Sequence, residues 1–203
     1  FSIGSFDGIS AFSTRESDPT KASRPFDRDR DGLVPGGGAA TVIIESYESA
    51  VKRGAPILAE IIGYGFSSNG PSRSLSMAIR EAGIDLRTIE YVNAHATSTP
   101  VGDKQEAKAI YNVFGDHRPF VASTKAMTGH EMWMAGSREI IYSMLMMQND
   151  FIAANINFEN PDEDSAKLNI PAIRVDKKFD TFLSNSFGFG GTNSTLIVKK
   201  FVK

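Results

Sequence analysis

The sequence predicts a layered α/β fold that closes on an antiparallel hairpin. Three observations carry this expectation. Short β-branched runs alternate along the chain with segments of helical periodicity. The final segment, TFLSNSFGFGGTNSTLIVKKF (residues 181–201), reads as two strands joined by a glycine-rich turn. Hydrophobic residues make up 41% and charged residues 23% of 203 positions, enough apolar material for a real core.

Taken in order, residues 13–32 (STRESDPTKASRPFDRDRDG) are polar and turn-rich, and no continuous regular element is expected there. LVPGGGAATVIIES then reads as a glycine-rich turn feeding a strand at about residues 41–45. A helix ends at Arg53 and Gly54, and a buried strand follows at about residues 57–64. SRSLSMAIREAG is a helix with Leu75, Ile79 and Ala82 on one face and Gly83 at its end. TIEYVNAH is a strand, because its β-branched residues cluster in a short run. Asp103 is read as the N-cap of the next helix, with Glu106 completing a capping box and Gly115 closing the segment. FVAST is a short strand. A helix from about residue 130 to 148 is apolar nearly all round and is expected to be buried. DFIAANINF is a strand or extended segment. No internal repeat or low-complexity tract is present.

Composition excludes several classes of function. Net charge is −2 and the basic residues are scattered, so no nucleic-acid or membrane-surface partner is expected. The basic C-terminal VKKFVK reads as a solvated end. Cysteine is absent, which removes disulfides, thiolate metal sites and any cysteine nucleophile from these residues, and suits the cytoplasm. IIYSMLMM is the longest notable apolar run, too short to span a bilayer. The N-terminus has neither a signal pattern nor an initiating Met, and a chain starting at Phe1 is read as cut from a longer protein. DRDRDG (residues 27–32) has the aspartate spacing of a calcium loop, but its twelfth position is Gly38, which offers no carboxylate. It is read as a charged surface turn, with no metal site. PGGGAA and GFGGTN match neither nucleotide-binding loop pattern and are read as turns that allow positive φ or close backbone approach. His117, in FGDHRPF, is expected to be exposed and inert.

The other two histidines differ. His95 follows the strand IEYV inside NAHATSTPVGD, and His130 lies in STKAMTGHEMWMAG, before the long apolar helix. Parallel α/β sheets place working residues at the carboxyl ends of strands, so His95 and Lys125, which follows FVAST's strand, are expected on one side of one sheet. His130 is placed at a helix N-terminus, where the dipole and Lys125 both oppose protonation. Two neutral imidazole donors converging on one point suit a developing oxyanion or enolate.

NAHATSTPVGD, STKAMTGH and NSFGFGGTN, in this order and spacing, resemble the β-ketoacyl-acyl carrier protein synthases of the synthase I and II type. These condensing enzymes have the thiolase fold. DPTKASRPFDRDRDG and NPDEDSAKLNI extend the likeness over almost the whole chain. The resemblance implies a thiolase-like layered αβα sandwich, with residues 1–56 as the tail of the N-terminal half and 57–203 as the C-terminal half. It implies decarboxylating Claisen condensation of a malonyl thioester with an acyl group held on a cysteine outside these residues. His95 and His130 match the histidines that hydrogen-bond the malonyl thioester, Lys125 the lysine supporting the second histidine, and Glu139 a structural or relay glutamate. Thr97 and Thr99 match threonines that bind the pantetheine arm. Phe187 and Phe189 match gating phenylalanines, with Gly190 and Gly191 in the oxyanion turn. Asn185 lies beside that site without an assigned role. Acyl carrier protein is the implied partner, homodimerisation is implied, and no cofactor is expected beyond the phosphopantetheine arm of the carrier.

The chain departs from the family in places. The half that bears the nucleophile is missing, so the fragment alone is expected to be inactive, with an exposed sheet face. The family has a longer loop between Asn69 and Ser72. Ala96 replaces a glycine, adding a methyl near the expected pantetheine path, and EMWMAG replaces small residues, putting Trp133 and Met134 beside the second histidine. The competing readings are a non-catalytic partner subunit, like a chain-length factor, and a plain carrier-binding module; the retained His95, Lys125 and His130 favour the enzyme.

Overall fold

The computed structural model describes residues 2–202. Its strands are β1 (Ala59–Ser67), β2 (Tyr91–Asn93), β3 (Phe120–Ala122), β4 (Phe151–Ile152), β5 (Val175–Asp176), β6 (Thr181–Phe187) and β7 (Asn193–Lys200). Five of them form one mixed sheet in the order β1-β7-β6-β2-β3, while β4 and β5 pair separately. β2 runs parallel to both β3 and β6. The hairpin β6–β7 and the outer pair β7–β1 are antiparallel. The helices are α1 (Ser2–Gly8), α2 (Tyr47–Lys52), α3 (Pro71–Ala82), α4 (Pro100–Phe114), α5 (Lys125–Thr128) and α6 (Ala135–Gln148).

Strand alternation sorts the core into two layers. Val92, Val121, Leu183 and Ile197 point to one face and pack with Leu75 and Ala78 of α3 and Ala107, Ile110 and Phe114 of α4. Their neighbours Tyr91, Ala122, Phe182 and Val198 point the other way and pack with Ile140, Met146 and Met147 of α6. The result is the αβα layering that the sequence predicts. α3 lies close on β1 because Gly63 and Gly65 have no side chains: a Cβ at Gly65 would collide with the Ser74 carbonyl oxygen, and one at Gly63 with that of Ala78.

Several elements differ from expectation. Residues 41–45 form no strand; Ile43 is 84% and Ile44 70% exposed, and among the described residues no strand lies beside them to complete a ladder. β1 starts later than expected and is a half-buried edge strand, because among the described residues only β7 pairs with it. α4 begins at Pro100, whose missing N–H suits a first helical position, so Asp103 sits inside the first turn instead of capping it. α6 begins at Ala135; residues 132–134 form a 3₁₀ turn, and Met132 has φ +54°. The helix is buried on one side only: Leu145 is exposed, and so is Trp133 before it. α1 and α5 are short helices that the sequence pattern does not reveal.

Gly65→Ala therefore forces α3 away from β1. Chemical unfolding should show a loss of about 1–3 kcal/mol, the usual range for overpacking; an unchanged midpoint contradicts the close approach.

Candidate active site

The site begins where β2 ends. Ala94 is still tied to the sheet, its N–H donating to the Ala122 carbonyl (2.9 Å). The next four backbone N–H groups leave the ladder and are taken by two carboxylates on α4. Glu106 accepts from His95 N (2.9 Å) and Ala96 N (2.7 Å). Asp103 accepts from Thr97 N (3.0 Å) and Ser98 N (3.1 Å), and also from Phe26 N (2.8 Å). The residues read as a capping box thus hold the preceding loop and not their own helix terminus. Their i, i+3 spacing puts both on one face of α4, towards that loop. Burial raises the Glu106 carboxyl to about 7 and Asp103 to about 6, against the pull of these donors. Asn185, on β6, donates to Glu106 (2.9 Å) and accepts from Thr195 (2.9 Å), so the hairpin braces the same loop.

His130 arrives differently. α5 ends at Gly129 (φ +72°), and His130 N donates to the Val34 carbonyl (2.7 Å) while Gly36 N donates to the His130 carbonyl (2.9 Å). His130 is therefore laid against the N-terminal segment, not set at the N-terminus of α6 as expected. Met132 N donates to its Nδ1 (3.3 Å), which leaves the ring proton on Nε2. Burial, helped by the Lys125 charge and not by a helix dipole, lowers its pKa to about 4. Burial, with Lys125 and His130, holds His95 well below 6.5.

The two imidazoles meet. Their centroids are 5.4 Å apart, with planes at 86°. Phe187 lies 5.9 Å from His95, and Phe6, from α1, stands edge-on to His130 at 6.1 Å. Phe189 leans on Phe6 at 5.4 Å and is 64% exposed, followed by Gly190 and Gly191 at φ +91° and +93°. Thr97 and Thr99 hydrogen-bond through their hydroxyls (3.2 Å) on the loop beyond His95. Behind the rings, Lys125 forms a buried ion pair with Glu139. Burial raises the Glu139 carboxyl while Lys125 pulls it down.

Other expectations need correction. Ala96 is buried in the core cluster, so its methyl packs inside. Trp133, expected beside His130, is 88% exposed. DRDRDG is not a surface turn throughout: Asp27 and Arg30 are buried, and Asp27 accepts from Glu159 N (2.8 Å) and Asn160 N (2.7 Å). His117 is half-buried and its Nε2 meets the Ile89 carbonyl at 3.0 Å. Among the described residues no group of His, Asp and Glu is arranged to hold a metal, and no helix is long and apolar enough to cross a membrane. The sequence reading missed Phe6 and Arg30. Phe6 gave no signal, since only the fold brings it to His130. Arg30 could have been suspected from its place in an alternating charge run beside apolar Phe26 and Leu33.

His130 should stay neutral at neutral pH, its imidazole proton signals titrating near pH 4 by NMR; a midpoint near 6.5 contradicts the burial argument. The sign follows from proton counting. Below about pH 6.5 the unfolded chain binds a proton that the folded histidine refuses, so this stabilisation is complete above 6.5 and lost towards 4. Asp103 and Glu106, raised on folding, contribute with opposite sign and lose theirs as pH rises through about 6 to 7.

Known proteins share both sequence and architecture. A family description, "Beta-ketoacyl synthase, C-terminal domain", matches residues 58–159. The chain is 50% identical to 3-oxoacyl-[acyl-carrier-protein] synthase 1 of Escherichia coli K12 over 206 aligned positions, covering 96% of this chain and 50% of that protein. It superposes on a beta-ketoacyl synthase from Burkholderia phymatum with TM-score 0.93 at 38% identity, covering 99% of this chain and 52% of that one. A ketosynthase assembly described as a type II polyketide acyl-carrier protein in complex with its ketosynthase gives TM-score 0.92 at 33% identity, over 99% and 53%. The chain spans about half the length of the curated relatives it matches. The thiolase-like layering is theirs as well, and the chain belongs to the beta-ketoacyl synthase family, as its C-terminal domain.

Proposed function

We propose that the complete protein is a β-ketoacyl-acyl carrier protein synthase, an acyltransferase that condenses malonyl-carrier with an acyl-enzyme thioester. The observation that carries this reading is the edge-on pair His95 and His130, both held neutral. As malonate loses carbon dioxide, the electron pair of the breaking C–C bond moves into the thioester and negative charge gathers on its carbonyl oxygen. Neutral N–H donors aimed at that oxygen stabilise the enolate without already pairing with the departing carboxylate. The enolate carbon then attacks the acyl thioester, and the enzyme thiolate leaves. These 203 residues contain no cysteine, so the thiolate comes from the rest of the protein.

The family likeness supports the remaining roles. Thr97 and Thr99 offer hydroxyls to the amides of the pantetheine arm. Phe187 and Phe189, with Gly190 and Gly191 next in the hairpin turn, close over the reacting atoms, and those glycines supply part of an oxyanion turn. Lys125 and Glu139 fix the charge behind the histidines. Residues 1–56 are read as the tail of the other half, which supplies the missing cover for exposed Ile43, Ile44, Tyr64 and Phe66. Acyl carrier protein is the partner, the protein is a homodimer, and no separate cofactor is needed. A cytoplasmic setting goes with the reading because a reducing compartment keeps the thiolate free. A chain-length-factor-like subunit would have no use for the paired neutral imidazoles.

In the complete protein, His95→Ala and His130→Ala should each lower malonyl-carrier decarboxylation by roughly 10²–10³, the loss typical of one oxyanion donor. Wild-type rates in both variants would overturn the assignment.

A further inference from the structure

The loop that carries Thr97 and Thr99 is held from outside the sheet by a guanidinium. Arg30 is 8% exposed and donates through Nε to the Thr99 carbonyl (3.1 Å) and through Nη2 to the Pro100 carbonyl (2.9 Å). Its Nη1 donates to the Asp27 carbonyl (2.7 Å) and to Asp162 Oδ2 (2.8 Å). Asp103, which grips the other end of the same loop, lies 3.9 Å from Nε. One side chain thus joins the segment around residue 30, the threonine loop and the segment around residue 162.

Helix stability does not explain this placement. A cation beside the N-terminus of α4 opposes the helix dipole, and burying a guanidinium is costly unless each N–H finds an acceptor. What the arrangement fixes is the loop. Ser98 sits at φ +71°, a strained conformation for a residue with a side chain, and is kept there by Gly32 N on its carbonyl (3.0 Å) and Arg24 N on its hydroxyl (3.0 Å). With Asp103 on the Thr97 and Ser98 N–H groups and Arg30 on the Thr99 and Pro100 carbonyls, the loop backbone is fixed and the Thr97 and Thr99 hydroxyls are held side by side, 3.2 Å apart. A planar fork does this and a lysine ammonium cannot reproduce it.

We propose that Arg30 is a positioning residue that sets the Thr97 and Thr99 hydroxyls for the pantetheine arm and thereby determines preference for pantetheine-borne thioesters. This rests on the synthase reading above and adds to it a residue that touches neither substrate nor the reacting atoms. In the complete protein, binding of two unreactive probes is compared by calorimetry: the malonyl amide of pantetheine amine and the malonyl amide of a plain alkylamine. Wild-type protein should prefer the pantetheine probe. Arg30→Lys should cut that preference about tenfold, the size of one lost charge-assisted hydrogen bond, while binding of the plain probe stays within about threefold. If Arg30→Lys does not fold, Asp162→Asn, which removes one anchor of the same guanidinium, should shift the preference in the same direction. A preserved preference in the folded variant, or no preference in wild type, overturns the proposal. Decarboxylation of malonyl-pantetheine, measured alongside, separates the two claims: binding preference without turnover defeats the synthase reading and leaves Arg30's role standing.

Discussion

Four consecutive backbone N–H groups, from His95 to Ser98, are held by two carboxylates one helical turn apart. The site depends on this constraint. A loop leaving a buried strand must satisfy its amides or lose about 1–3 kcal/mol for each one left unpaired. Asp103 and Glu106 satisfy them all, and in doing so fix where the His95 ring starts. Asn185 then locks Glu106 to the terminal hairpin, the same hairpin that carries Phe187 and Phe189. Sheet, helix and terminal hairpin are thereby registered to one another through a single carboxylate.

The electrostatics follow from burial. Lys125 is the cation nearest both imidazoles in effect, and it lowers both, yet its charge is matched by Glu139 at once. The site therefore holds a neutral donor pair in front of a neutralised ion pair. An imidazolium there would pair with any anionic carboxylate, whereas neutral rings can donate to a developing oxyanion without that pairing.

Much of this was legible in the sequence, for identifiable reasons. The terminal hairpin was, because its glycine turn and flanking strands are local. His95 and Lys125 were, because strand ends mark the working side of parallel sheets. The strand at residues 41–45 was misread because β-branched composition shows what could pair, not whether a partner is present; Ile43 and Ile44 stay exposed for want of one. Asp103 and Glu106 were noticed as a pair but given the wrong partners, since capping and loop-gripping share one spacing and only tertiary placement separates them. Pro100, three residues earlier, was the overlooked signal for the true helix start. His130 was placed at a helix N-terminus because the apolar run continues past it; the positive φ of Met132, invisible in composition, breaks the helix there.

The relation between the rings is tested most directly by a crystal structure of the complete protein bound to an unreactive malonyl amide of pantetheine amine. The arrangement described here puts the amide oxygen next to the malonyl group within about 2.7–3.1 Å of a ring nitrogen on both His95 and His130. An oxygen bonded to one ring alone, with the other turned elsewhere, would contradict it.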